Sequence, residues 1–283
     1  MTRLTSYTND GLVFDVADSG PADGTPVVLL HGFPQNARQW DRLAPFLHER
    51  GYRTIAPDQR GYAPGARPRG RYAYRVRALV GDTAALIETL GCGPVHLVGH
   101  DWGSIVAWSA AAARPDLVRT LTSVSAPHPM AFLRSLGSST QALRTGYMLL
   151  FQLPVLPEFV LARAFRAAAA PRLRRYAARL SGLDGEQWDR LLREVVDGGA
   201  LHYGLQWYRA MPIVDPRQAR RPVAVPTTHV RGSRDVFMSR RCAELTARYA
   251  TGPFRAETLD AAHWIPEERP AELAAIIAAR AAG

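Results

Sequence analysis

Three features of the sequence predict an α/β fold, a mostly parallel sheet flanked by helices, with a block of helices inserted into it. Short apolar runs recur along the chain, each passing into a loop rich in glycine and proline and then into a segment of helical spacing. One such junction, Val95-His96-Leu97-Val98-Gly99-His100-Asp101-Trp102-Gly103-Ser104-Ile105-Val106, reads as strand, sharp turn and helix in succession. The stretch from about His128 to about Asp215 has no convincing strand, although strands precede and follow it.

In chain order, Leu12 to Ala17 alternates in character and reads as an early edge strand, followed by turn-rich residues 18–26. Val27 to Leu30 is a buried strand that runs straight into His31-Gly32-Phe33-Pro34. Arg38 to Glu49 reads as a helix, and Thr54 to Pro57 as a strand ending in the glycine- and proline-rich loop Asp58 to Pro68. Tyr74 to Leu90 places Val76, Val80, Ala84 and Ile87 on one helical face. Val95 to Val98 is a fully buried strand, and Ser104 to Ala113, with its five alanines, is the helix after it, closed by Arg114-Pro115. Leu121 to Val124 is another strand. The following region is rich in alanine, leucine and arginine and punctuated by Pro154, Pro157, Pro171, Gly182 and Gly185, which reads as several helices forming a lid. Thr227 to Arg231 resumes the sheet, Ser239 to Tyr249 is a helix, Phe254 to Leu259 the last strand, and Pro270 to Ala282 a closing amphipathic helix. Residues 1–127 and 216–283 thus make the core, and 128–215 a helical cap inserted in it. Alternating strands and helices imply right-handed crossovers, with reactive groups gathered at the carboxyl ends of the strands.

Composition removes several classes of function. The chain has 283 residues, 47% hydrophobic and 21% charged, enough for one large core with a modest insertion. Its formal net charge is +10, yet every one of the 35 basic residues is arginine, a mark of codon bias. The densest cluster, Arg67 to Arg77, carries no nucleic-acid motif and reads as a solvated face, so no nucleic-acid partner is expected. Cys92 and Cys242 make neither a metal pattern nor a disulfide framework. Met1 to Asp10 is polar, without the apolar core of a signal peptide. The longest apolar stretches are broken by arginine or proline well short of a membrane span. A cytoplasmic protein with no metal and no membrane partner is the expectation.

The chemistry centres on Gly99-His100-Asp101-Trp102-Gly103, which has the small-x-nucleophile-x-small form of a nucleophile elbow. Its centre is aspartate where most enzymes of this layout carry serine, and no Gly-x-Ser-x-Gly occurs elsewhere. A carboxylate nucleophile needs a base to activate the water that cleaves its ester, and that base needs an orienting acid. The chain order in this layout is nucleophile, acid, histidine. Asp235 follows the strand Thr227 to Arg231, and His263 follows the strand Phe254 to Leu259, so both fall on the face of Asp101. Asp260 is a rival acid, but its closeness to His263 in sequence assigns it to a cap or turn. Oxyanion donors are expected from the backbone amides of Phe33 and Trp102. His96 and His100 have a spacing that suits a metal only on a helix, and this segment is a strand. His31, His128 and His229 read as residues that hold loops or strand ends.

Together, His31-Gly32-Phe33-Pro34, the Asp101 elbow, Asp235 and His263 resemble the α/β-hydrolase fold and, within it, the epoxide hydrolases. The resemblance covers nearly the whole chain and is weakest in the middle of the lid. It implies two lid tyrosines whose hydroxyls hold the epoxide oxygen and donate a proton as the ring opens. Gln206-Trp207-Tyr208-Arg209 resembles the family's Asn-Trp-Tyr-Arg element and points to Tyr208, while Tyr147, four residues before Phe151-Gln152, resembles the other position. Trp102, Tyr147 and Tyr208 would then line the substrate site. The chain departs from the pattern at Ala63-Pro64-Gly65-Ala66, where many relatives have a Gly-x-Ser form, and at Gln206, where asparagine is usual. The implied reaction converts an epoxide and water to a vicinal diol through an ester on Asp101, with no cofactor.

The elbow also resembles that of haloalkane dehalogenases, in which Trp102 would help hold the departing halide. Phe33 offers no side-chain donor where one dehalogenase group has asparagine, and the two tyrosines would have no task. A fluoroacetate-type dehalogenase would show arginine after the nucleophile. A non-catalytic ligand receptor built on this fold is the reading from another class, and the intact set of Asp101, Asp235, His263, Tyr147 and Tyr208 counts against it.

Overall fold

Eight strands form one sheet in the computed structural model, which describes residues 2–283 apart from the Leu180 side chain. They are β1 (Ser6–Asn9), β2 (Leu12–Ser19), β3 (Thr25–Leu30), β4 (Tyr52–Pro57), β5 (Val95–His100), β6 (Val118–Val124), β7 (Thr227–Gly232) and β8 (Phe254–Leu259). Their spatial order is β1-β2-β4-β3-β5-β6-β7-β8. β2 pairs antiparallel with β1 and with β4, and all remaining pairs are parallel. The central strands β3 and β5 are buried on both faces, which explains their continuous apolar runs. Val28 and Leu30 of β3 join one core cluster, Val27 and Leu29 the other, as the two-residue period of a strand requires.

The expected edge strand Leu12–Ala17 is not at the edge. β1 lies outside it, joined through Asp10 and Gly11, both at positive φ in a tight hairpin turn. β1 was invisible as an apolar run because its one buried side chain is Tyr7, which stacks on Phe14 of β2 at 4.7 Å between ring centroids.

The helix expected over Arg38–Glu49 is also broken. A 3₁₀ turn spans Ala37–Trp40, and α1 covers only Ala44–His48. Pro45 sits in the first turn of α1, where its missing N–H costs nothing; inside a longer helix its ring would clash with the preceding turn. α2 (Val76–Leu90) and α3 (Trp102–Ala113) follow, packed against the face opposite α1.

Between β6 and β7 the chain forms α4 (Pro129–Leu136), α5 (Gln141–Arg144), α6 (Tyr147–Leu150), α7 (Leu156–Ala169), α8 (Pro171–Ser181), α9 (Gly185–Leu191), a π turn (Leu192–Asp197), α10 (Ala200–Ala210) and α11 (Pro216–Ala219). These helices, the cap, are inserted between two neighbouring strands of the sheet. α12 (Arg240–Thr246), with Ser239 capping its first turn, α13 (Ile265–Glu268) and α14 (Pro270–Ala281) complete the core. Among the described residues no helix is long and apolar enough to cross a membrane.

Candidate active site

Asp101 stands between β5 and α3 at φ 50°, ψ −117°, a strained conformation for a residue with a side chain. Two glycines make this turn possible. A Cβ on Gly99 would lie 2.2 Å from the Gly103 carbonyl oxygen, and one on Gly103 would lie 2.1 Å from the Leu30 carbonyl oxygen. The neighbouring loop has the same requirement, since a Cβ on Gly32 would meet the Asp101 Cβ at 2.6 Å. The close approach brings the Phe33 amide to the Asp101 carboxylate, where it donates to Oδ1 at 2.9 Å. The Trp102 amide is the first of α3, a position with no partner inside the helix.

The other carboxylate oxygen, Oδ2, faces His263 Nε2 at 3.4 Å. His263 Nδ1 meets Asp235 Oδ2 at 2.8 Å, and Asp235 Oδ1 accepts from the amides of Phe237 and Met238 at 2.7 and 3.0 Å. The three strand ends therefore converge on one chain of contacts. Asp260 is elsewhere: it is exposed and pairs with Arg234.

Burial opposes charge on His263, yet the carboxylates of Asp235 and Asp101 raise its pKa to about 10. Burial pushes Asp101 upward, but the bond and charge of His263 and the Phe33 amide bring it below the ordinary carboxylate value. Asp235 is lowered in the same way, by His263 and the two amides against burial. At neutral pH the arrangement is a buried imidazolium between two carboxylates.

His100 is held neutral, its pKa lowered by burial to about 4. Its Nε2 donates to the His263 carbonyl at 2.9 Å, which fixes the loop rather than any metal. Ser125 donates to the same carbonyl at 2.7 Å. On its other side His100 Nδ1 accepts from Gln39, whose carbonyl accepts from the Gly32 amide. Gln39 and Gln35 also donate to Glu267, a fully buried carboxyl that burial pushes up to about 8. No spacing in the sequence marks this network, because Gln39 and Glu267 are 228 residues apart. His96 bonds Thr120, His31 accepts from the Gln59 amide, His128 caps α4, and His229 bonds Ser123.

α10 delivers Tyr208, whose ring meets those of Phe33 and Trp102 edge-on. Trp207 donates to the Arg60 carbonyl of the core at 2.9 Å, and Arg209 donates to the Phe151 and Leu153 carbonyls while pairing with Glu158. Gln152 donates to the Tyr208 carbonyl at 2.8 Å. The consecutive residues Trp207, Tyr208 and Arg209 thus anchor to the core, face the site and clamp α6 to α10, respectively. α6 carries Tyr147, whose ring lies 6.4 Å from that of Tyr208. Burial raises the pKa of both tyrosines, and the charge of Asp101 adds to it. The Trp102 indole meets Tyr208 edge-on at 5.1 Å. Phe151, named in the sequence only as a marker for Tyr147, and Phe237, which the sequence did not single out, complete the aromatic wall against Tyr208 and His263.

The cleft runs from Asp101 past Ile105, Phe132, Leu133, Met148 and Met211, with a cavity volume of about 110 Å³. Among its described lining residues Asp101 alone is charged. Among the described residues no group of three or more His, Cys, Asp or Glu side chains is arranged to hold a metal ion.

The family described as the alpha/beta hydrolase fold matches residues 25–270. Epoxide hydrolase 3 of Xenopus tropicalis is 34% identical over 95% of this chain and 74% of its own length. An AB hydrolase superfamily protein of Bacillus subtilis, YfhM, is also 34% identical, over 93% of this chain and 92% of its own. Among solved structures, that of Epoxide Hydrolase A from Mycobacterium thermoresistibile is similar at a TM-score of 0.81 and 28% identity, covering 98% of this chain and 97% of that one.

Proposed function

The chain belongs to the α/β-hydrolase family, and on that premise we propose that it hydrolyses an epoxide to a vicinal diol through a covalent ester on Asp101. One observation carries this reading: the elbow presents a buried carboxylate at the end of an apolar cleft, with a charged histidine 3.4 Å from one oxygen, Tyr208 edge-on to the adjoining Trp102 and Tyr147 beside Tyr208. An epoxide hydrolase is one of the two sequence relatives described above, and another is the structural neighbour.

In the first step the Asp101 carboxylate attacks a ring carbon. The new C–O bond forms as the ring C–O bond breaks, and the ring oxygen takes the electron pair and a proton from Tyr147 or Tyr208. Both tyrosines wait as neutral donors, because burial and the Asp101 charge hold their pKa values up. Ester formation removes the Asp101 charge, one of the two that stabilise the imidazolium of His263. Its proton restores the tyrosine and leaves a neutral base.

In the second step His263, oriented by Asp235, takes a proton from water as the oxygen adds to the ester carbonyl. The Phe33 and Trp102 amides meet the oxyanion. Collapse expels the alkoxide, which takes the proton of the new carboxyl group. Diol leaves, with Asp101 ionised and His263 charged as at the start. No cofactor enters this balance. The apolar cleft favours an uncharged epoxide with a hydrocarbon arm. The unpaired cysteines Cys92 and Cys242 fit a reducing compartment, and we place the enzyme in the cytoplasm.

The test is the intact mass of the His263→Gln variant after incubation with terminal epoxides and, separately, with haloalkanes. A gain equal to the whole epoxide, mapped to Asp101, is the expected result. An adduct of the alkyl group from the haloalkane alone would overturn epoxide hydrolysis in favour of dehalogenation.

A further inference from the structure

Nine of the fourteen large apolar side chains that stand exposed among the described residues lie between residues 143 and 176, on the outside of the cap. Leu143 is 85% exposed, Leu149 77%, Val155 75%, Tyr176 65% and Phe159 61%. Isolated exposed leucines are ordinary, but so many in one short stretch, with those of α7 and α8 on helices packed together, mark a surface with a partner.

The charge on the same stretch is one-sided. Residues 143–179 hold seven arginines and one acid, Glu158, which is already engaged by Arg209 and His202. Arg166 pairs with Asp197 and Arg174 with Asp189. Arg163, Arg172, Arg175 and Arg179 are exposed and, among the described residues, meet no carboxylate. On α7 the residues Phe159, Val160 and Arg163 share a face, with the Arg163 guanidinium over the Phe159 ring at 5.7 Å. α8 packs against α7 and presents Leu173 and Tyr176 among Arg172, Arg175 and Arg179. The exposed apolar segment Leu153 to Leu156 leads into α7.

We propose that this face of the cap docks on an anionic membrane surface, its apolar side chains entering the interface while the free arginines meet lipid phosphates. Apolar side chains beside snorkelling cations are what an interfacial helix requires. Charge decides the occupant. A second copy of the chain would set the four arginines that meet no carboxylate against the same four across the contact, and the one acid of the stretch, Glu158, is already engaged. The sequence excludes a span because arginine and proline interrupt each apolar stretch, and those same arginines give the exposed stretch its interfacial character.

The placement has a consequence for substrate supply. α6 carries exposed Leu149 two residues after Tyr147, so the docked face lies close to the mouth of an apolar cleft. An epoxide with a hydrocarbon arm concentrates in lipid. Docking itself does not depend on the reaction.

The test is flotation of the full chain with vesicles of phosphatidylglycerol and phosphatidylcholine in equal parts, and with phosphatidylcholine alone. The protein is expected to float with the mixed vesicles, to stay behind with the neutral ones, and to be released by high salt. Arg163→Glu, Arg172→Glu and Arg175→Glu combined are expected to weaken binding about 100-fold, since each basic residue near an anionic surface contributes about fivefold. Val155→Ser with Phe159→Ser is expected to abolish flotation at moderate salt. Both variants should turn over a water-soluble epoxide at the unaltered rate, which separates lost docking from lost folding. Wild type that stays behind with mixed vesicles, or variants that float as well as wild type, would overturn the proposal. So would a dimer in sedimentation that the same substitutions convert to monomer without flotation, and that result would assign the face to a second copy.

Discussion

The two halves of the candidate site are held by different means. Asp101, its amide partner and His263 sit at strand ends, fixed by backbone contacts so close that glycine alone fits at positions 32, 99 and 103. Tyr147 and Tyr208 arrive on two cap helices joined by side chains, chiefly the Arg209 guanidinium and the Gln152 amide. The core half has no alternative arrangement that keeps its backbone packed. The cap half owes its geometry to a few hydrogen bonds and can tolerate graded damage. Substitutions in the two halves should therefore differ in kind, all-or-none below and stepwise above.

The largest effect belongs to the core. Asp101→Ala is expected to lower turnover by about 10⁴-fold or more while the protein stays folded, since no other group can form the ester. Residual activity within about tenfold of wild type would break the comparison at its base. Next comes the tyrosine pair. Tyr208→Phe and Tyr147→Phe should each cost about 10²-fold in kcat, the usual value of one oxyanion donor. Because either hydroxyl can serve the same oxygen, the double variant should lose far more than either alone. A double variant no worse than the single ones would mean that only one tyrosine meets the substrate.

How much was legible follows the same division. The strand ends, the elbow and the order Asp101, Asp235, His263 were readable because a strand–turn–helix junction leaves its glycines and apolar runs side by side in the chain. Tyr208 was readable only through the resemblance of Gln206 to Arg209, and the physical division of labour within that motif needed the structure. Phe237 was missed because an aromatic residue in a loop gives no periodic signal, and Phe151 entered only as a marker for Tyr147. β1 was missed for a related reason, as a four-residue polar strand with one buried ring has no pattern to detect. The exposed apolar face of α7 was not legible in the sequence, because helical spacing says nothing about which residues stay outside.

A smaller effect should separate the halves kinetically. Arg209→Met removes the clamp on the Phe151 and Leu153 carbonyls and leaves the partly buried Glu158 with His202 as its remaining ion-pair partner. Ester formation, measured by rapid-quench mass spectrometry, is expected to slow about tenfold, because an ångström of misplacement at the tyrosines is enough to do so. Ester breakdown, which uses only core groups, should keep its rate. Equal slowing of both steps would show that the cap also shapes the hydrolytic half.

The smallest expected effect tests the core through its buried network. Glu267 accepts from Gln35 and Gln39, neutral amides both, and burial lifts its pKa to about 8, with Arg190 and His263 pulling weakly the other way. A carboxyl raised on folding keeps its proton after the unfolded chain has released its own. Its contribution to stability is therefore full below the ordinary glutamate value and is lost as pH rises through about 8. The slope is at most about 1.4 kcal/mol per pH unit. His263, raised to about 10, adds a loss of the same sign at higher pH in wild type and variant alike. Glu267→Gln keeps the hydrogen-bonding shape but cannot titrate, so denaturant unfolding should show it gaining on wild type between pH 5 and pH 8. The ester-forming rate should barely change, since Gln39 still holds the Gly32 amide and His100. Stability curves that run parallel across that range would show that Glu267 is ionised in the folded protein, and that the glutamines and Arg190 compensate its charge where burial alone would not allow it.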